Sequence, residues 1–208
     1  SVATVTVTLS GFVGSETLTY TNSSSFNNKN VGTGKTVTVD SITLADGNNG
    51  GLASNYSVAP GQTTTANITA KALTVSGITA SSKTYDGSTS ATLDTSSVLY
   101  SGLIAGDTFN GTYTGAFSDK NVGTGKTVTI TSSYSGADSG NYSVTNQSST
   151  TADISSKALT ATASVSNKTY DATNSATATL TLAGLVGSET LGSTNTSTFN
   201  NKNVGSNK

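Results

Sequence analysis

The chain contains no cysteine, methionine, tryptophan or histidine, and all ten of its basic residues are lysine, so arginine is missing as well. Each absence removes a chemistry. Without cysteine and histidine there is no thiolate or imidazole zinc centre, no haem or iron–sulfur ligation and no Ser-His-Asp nucleophile. Without arginine, and with a net charge of -1, the chain lacks the clustered positive charge that neutralises phosphates, which argues against nucleic acid as a partner. No apolar run approaches the ~20 residues of a membrane span. The lack of disulfides leaves the compartment open, because the units of a large repeat array support one another without them.

What fills the sequence instead is serine and threonine, together more than a third of its 208 residues, with only 33% hydrophobic and 10% charged residues. Threonine favours the pleated surface and tolerates solvent on one side of it. The low charge and many hydroxyls suit a chain held outside the cell.

One stretch suggests a different chemistry. FNNKNVGTGKTVTV, Phe26 to Val39, contains GTGKT, which looks like the end of a phosphate-binding loop. That loop needs a glycine five positions before the Gly-Lys and a helix after it. Lys29 occupies the glycine position, and the alternating TVTVDSITL that follows predicts a strand. The segment also returns, as FSDKNVGTGKTVTI from Phe117 and as FNNKNVGSNK from Phe199. Repetition, and not phosphate binding, is the property to explain.

The repeat extends along the whole chain. KNVG begins at Lys29, Lys120 and Lys202, NYSV at Asn55 and Asn141, KALT at Lys71 and Lys157, and KTYD at Lys83 and Lys168. GSETL at Gly14 and Gly187 has AGDTF, Ala105 to Phe109, as its middle counterpart. These anchors divide the chain into a partial repeat over 1–70, a complete repeat over 71–156 and a partial repeat over 157–208. The first copy begins part-way into the repeat and the last stops just after KNVG, as expected of a window onto a longer array.

Within each copy VATVTVT, TLTYT, KTVTV, ANITA, ALTVSG and ATATLTL alternate with period two, separated by clusters of Gly, Asn, Asp and Ser. No run has the spacing of an amphipathic helix. The pattern predicts an all-β fold: tandem small β-sandwich or β-grasp-like repeat domains arranged end to end as an elongated rod. TTTANITAKALTVSGITA crosses the repeat join with no Gly or Pro linker, and a strand running through it would stiffen the rod.

The anchor residues read as structure. Lys83, Thr84, Tyr85, Asp86 and Gly87 form a strand end and a turn, with Tyr85 packed on the core and its hydroxyl paired. Gly32 and Gly34 permit positive φ, Lys29 and Lys35 flank the turn, and Val31 plugs the core. Glu16, Asp107 and Glu189 occupy one equivalent position with one carboxylate per copy, short of the pair that glycoside hydrolysis needs. No Asp-x-Asp-x-Asp calcium loop occurs. Lys71 or Lys83 could supply an isopeptide cross-link to an Asn or Asp. The Asn-x-Ser/Thr triplets at Asn55, Asn67 and Asn141 are expected by chance in so hydroxyl-rich a chain. No catalytic, cofactor-binding or metal-ligating residue is assigned, and no cofactor is expected.

Taken in order, SKTYDGSTSATL, GLIAGDTF, FSDKNVGTGKTVTI, GNYSV and ADISSKALT resemble the YDG-type repeat of large bacterial surface proteins. That repeat neighbours the related MBG repeats and occurs in filamentous-haemagglutinin-like adhesins. Copy three departs from the pattern at Ala172, which stands for the glycine, and at Ser206 and Asn207. The resemblance implies a secreted, non-enzymatic stalk or filament at the bacterial cell surface or in an extracellular biofilm matrix. Its partners would be neighbouring repeats of the same parent chain and other copies in a fibre, with no nucleic acid and no membrane span in this segment. The alternative is a repeat module that binds glycan or another surface ligand directly.

Overall fold

The computed structural model describes residues 2–208, and they form an all-β chain. In chain order the strands are β1 (Leu18–Phe26), β2 (Gly32–Asp46), β3 (Thr63–Ile68), β4 (Lys71–Ser76), β5 (Thr79–Ala80), β6 (Lys83–Thr84), β7 (Ser90–Ala91), β8 (Leu93–Asp94) and β9 (Leu99–Ser101). They continue with β10 (Asn110–Phe117), β11 (Gly123–Ser135), β12 (Tyr142–Thr145), β13 (Ser149–Ser155), β14 (Thr160–Val165), β15 (Ser175–Ala176), β16 (Ala178–Ala183) and β17 (Ser197–Thr198). Helical structure among the described residues amounts to two single 3₁₀ turns, Ala53–Asn55 and Ser139–Asn141.

The residues gather into two compact units. The first takes the described chain up to Ser76 together with Leu99–Thr112 and Ser133–Asn146. It holds two three-stranded sheets, β1-β2-β3 and β12-β4-β9. β1 and β2 pair antiparallel from Leu18 opposite Asp46 to Phe26 opposite Val37. β4 sits between a parallel neighbour, β12, and an antiparallel one, β9. The alternation of Val and Thr in KTVTV and of apolar and polar residues in KALTVS buries Val37, Val39, Leu73 and Val75, beside Phe109 and Tyr142. Each such aliphatic side chain contributes about 1.5–3 kcal/mol on leaving water.

The second unit takes Gly77–Val98, Tyr113–Ser132 and Gln147–Lys208. Its main sheet has the order β6-β13-β11-β10-β7. Phe117, Val128, Ala152 and Ile154 are buried on it, with Ala80, Tyr85, Ala91 and Leu93 packed against them. The Gln147 amide closes one edge of this unit by accepting from the Ile78 N–H at 2.9 Å and donating to the Ile78 carbonyl at 2.7 Å, as a strand would.

Equivalent segments of the copies share register. Thr74 opposes Ser101 in copy two, and its counterpart Thr160 opposes Ala183 in copy three. Gly32 opposes Ile68 and Lys35 opposes Ala66, just as Gly123 opposes Ile154 and Lys126 opposes Ala152. In both pairs two residues on one strand face one on the other, Thr33 and Gly34 against Asn67 and Thr124 and Gly125 against Asp153, which is a β-bulge.

Three expectations are corrected. No strand runs straight through the first repeat join: β3 ends at Ile68 and β4 begins at Lys71. β3 pairs with β2 while β4 pairs with β12 and β9, so the ladder breaks where the partner changes. VATVTVT is not a ladder strand. Beyond a single bridge from Val2 to Ser25, the Asn22 amide donates to the Val5 carbonyl and the Tyr20 hydroxyl accepts from the Val7 N–H. Its copy-three counterpart, β16, pairs with β14. Finally, the valine of KNVG does not plug the core. Val31 is half-buried and Val122 is exposed, because each sits in the loop ahead of the bulge and not on an inward strand position.

Candidate functional site

The Gly-Lys-Thr segments lie at the bulge. Gly34 has φ 60° and donates its N–H to Asn67 Oδ1, while Gly125 has φ 58° and donates to Asp153 Oδ1. A strand follows each, and the lysines turn back to the preceding loop, Lys35 to Asn28 and Lys126 to Asp119. The backbone donors that would cradle a phosphate are used within the protein.

The Lys-Thr-Tyr-Asp turn is a second recurring device. Asp86 Oδ1 accepts from the Ser88 N–H at 2.9 Å, the Ser88 hydroxyl at 2.9 Å and Lys83 Nζ at 2.8 Å. Lys83 also donates to the carbonyls of Ser88 and Ser90 and lies 5.4 Å from the centroid of the Phe117 ring. The Lys83 ammonium first, then the Ser88 N–H and hydroxyl, pull the Asp86 carboxyl down to about 2. Copy three repeats the arrangement with Lys168, Asp171, Thr173 and Phe199, and Asp171 is likewise lowered to about 2. Of the two lysines considered for a cross-link, Lys71 is exposed and Lys83 is committed to this clamp.

The third device joins residues of successive copies. In the first unit, Lys29 Nζ of copy one lies 2.9 Å from Asp107 and 2.7 Å from Asp138, both of copy two. Tyr142, from the NYSV segment, donates its hydroxyl to Asp107 Oδ2 at 2.6 Å and accepts from the Ile104 N–H at 3.1 Å. Asn141, beside it, accepts from the Val31 N–H and donates to Asn30 Oδ1. The Tyr142 hydroxyl and Lys29 together hold the Asp107 carboxyl below the ordinary range, and Lys29 with the Thr108 N–H does the same for Asp138. Lys29 is raised in turn, by Asp138 first and Asp107 second. Asp138 is the residue that sequence reasoning missed. Copy one has Leu52 at the matching place before its NYSV, so no repeat pattern marks it.

In the second unit the same lysine and acid positions meet again, with a tyrosine from a different motif. Lys120, the KNVG lysine of copy two, lies 3.5 Å from Glu189 of copy three. Tyr85 of the Lys-Thr-Tyr-Asp turn donates its hydroxyl to the same carboxylate. That hydroxyl, ahead of Lys120, keeps Glu189 below the ordinary range and is itself raised by Glu189. In copy one, Tyr56 takes the place of Tyr142: it donates to Glu16 and accepts from the Val13 N–H. So Glu16, Asp107 and Glu189, expected at one equivalent position, each accept a tyrosine hydroxyl.

The structural reading of Tyr85 and Asp86 accounts for the turn but leaves out the partner of the Tyr85 hydroxyl, which comes from another copy. Among the described residues no group of three or more histidine, cysteine, aspartate or glutamate side chains converges for a metal ion, and no helix is long and apolar enough to cross a membrane. Of the Asn-x-Ser/Thr asparagines, Asn67 and Asn141 use their side-chain oxygens in these contacts.

The chain is therefore built from recurring β segments joined by a recurring lysine, acid and tyrosine set. The YDG domain family matches residues 1–66, 69–152 and 155–208, and the chain belongs to that family. Comparison with curated proteins and with solved structures finds no significant match.

Proposed function

We propose that this chain is a structural segment of a secreted bacterial adhesin or extracellular fibre. Its small β-sandwich repeats stack end to end as a stiff stalk or filament in cell-surface attachment or in a biofilm matrix. The observation that carries this reading is the repeated link from a KNVG lysine to the acid of the following copy, Lys29 to Asp107 and Lys120 to Glu189. A link that recurs at two successive junctions is what an array of like modules requires, since each module contacts mainly its neighbours.

The role is mechanical and not catalytic. Asp107 and Asp138 converge on Lys29 as a carboxylate pair, but both are held ionised, whereas glycoside hydrolysis needs one of the two protonated. Direct glycan binding through stacked aromatics is less supported. Phe109 is buried and spends its ring on Tyr100, Tyr134 and Tyr142 at centroid distances of 5.3, 5.1 and 5.7 Å.

Electron microscopy of the native material on its source cells, decorated with antibody to this segment, tests the reading. A filament or stalk labelled along its length supports it. Label confined to a distal tip, or released as a soluble globular species, refutes it.

A further inference from the structure

The complete repeat opens and closes on strands that run side by side in the same direction. In the first unit β4 and β12 pair parallel, from Lys71 opposite Tyr142 to Thr74 opposite Thr145. In the second unit β6 and β13 pair parallel, with Lys83 opposite Ile154 and Thr84 opposite Ser155. The partner lies 71 residues further along the chain in both units, 142 against 71 and 154 against 83. The opening segment of the repeat, 71–84, and its closing segment, 142–155, therefore keep one register at both pairings.

Between β12 and β13 the closing segment is not a strand, and there the Gln147 side chain stands in. Its amide holds both the N–H and the carbonyl of Ile78, at 2.9 and 2.7 Å. Further bonds secure the last residues. The Tyr85 N–H donates to the Ser155 carbonyl at 2.8 Å, and the Asp153 N–H donates to the Ser82 hydroxyl at 3.0 Å. The same two segments carry Leu73, Val75, Ile78 and Ile154, none of them more than 2% exposed. A hydrogen bond in such surroundings is electrostatically stronger than one in water.

Parallel pairing decides what tension does here. The chain enters the repeat at Lys71, where β4 starts, and leaves it at Ser155, where β13 ends. In a parallel pair those are opposite ends of the ladder. A pull along the chain drags one strand lengthwise past the other and strains the hydrogen bonds together. An antiparallel pair pulled at its open end parts one bond at a time. One hydrogen bond is weak, so breaking them jointly or singly sets the resistance.

We propose that the two parallel pairings form a load-bearing clasp that closes the repeat, with Gln147 as its middle catch. The inference rests on the stalk reading for the source of the tension and adds to it the strands that carry the load.

Force spectroscopy of the 208-residue chain tests it, since a chain without cysteine accepts handles on introduced thiols alone. Ala70→Cys with Lys157→Cys pulls the two segments lengthwise. Ala70→Cys with Gly140→Cys pulls the start of β4 away from the start of β12. All three positions are exposed. The rupture force reports the barrier to unfolding along each pull. The first pair of handles is expected to need several times the force of the second. Gln147→Ala is expected to lower the first force and leave the second unchanged, because peeling starts at Lys71 and Tyr142. Equal forces for the two pairs of handles overturn the proposal, and so does a lengthwise force indifferent to Gln147→Ala. The handle comparison keeps the native clasp, so it decides the matter even where Gln147→Ala fails to fold. Equal forces in a protein labelled along a stalk sink the clasp alone, whereas a strong clasp in a protein labelled only at a tip sinks the stalk reading alone.

Discussion

At the residue scale, two positions of the same turn carry opposite expectations. Gly87 occupies the left-handed region at no cost, whereas an L-residue there costs about 1–2 kcal/mol. Gly87→Ala is therefore expected to lower the denaturant midpoint by at least that strain, with the approach of a Cβ there to Val186 Cγ1 adding to it. Ala172→Gly, at φ 65°, relieves the same strain and is expected to raise the midpoint. Equal midpoints for the two variants would contradict the assignment. The ion cluster predicts a pH response. Asp107 and Asp138 have folded pKa values below their ordinary ones, so their contribution is present above the ordinary carboxylate range and is lost as pH falls through the folded values. Lys29 is raised, so its contribution is present below the ordinary lysine range and is lost as pH rises through the folded value. Thermal stability should be flat between these limits and fall on both sides, and Lys29→Ala should flatten both flanks. The roles of Gly87 and Asp86 were legible in the sequence, because turn chemistry is local. Those of Asp138 and Asn141 were not, because their partners Lys29 and Val31 lie more than a hundred residues away along the chain.

At the element scale, the strands that form are those with a partner. TLTYT, KTVTV, ANITA, ALTVSG and ATATLTL all lie in ladders, whereas VATVTVT, with as regular an alternation, does not. NYSV shows the same dependence. In copy two Tyr142–Thr145 is β12, parallel to the KALT strand, but Tyr56–Ala59 in copy one is not a strand. Period two reports that a run can be a strand, while an edge to pair with decides whether it is one. The pairing also ranks the elements. β13 lies between β11 and β6 with Ile154 buried, so Ile154→Ala is expected to cost about 2–5 kcal/mol in a denaturant titration. β14 and β16 form a two-stranded sheet, and every residue of β14 is exposed. Its amides are expected to exchange with deuterium well before those of β11 and β13, and equal protection would contradict this ranking.

At the scale of the whole molecule, the complete repeat is divided: residues of Lys71–Ser156 contribute to both compact units, with copy one in the first and copy three in the second. A module built this way is completed by its neighbours. Inserting further copies of Lys71–Ser156 into the chain is expected to lengthen it by a constant increment per copy in small-angle scattering. An increment that shrinks as copies are added would refute the stalk reading.

The sequence by itself determined that the chain is β throughout, that its motifs recur in a fixed order and that the Gly-Lys-Thr segment is no phosphate loop. All three are matters of local alternation, composition and spacing. Only the tertiary structure decided which strands pair, that β12 runs parallel to β4 and β13 to β6, and that an acid, a lysine and a tyrosine from different copies meet in one place. Those outcomes depend on register between segments distant in the chain. A side chain's neighbour across a sheet is set by the fold of both strands and is written in neither one alone.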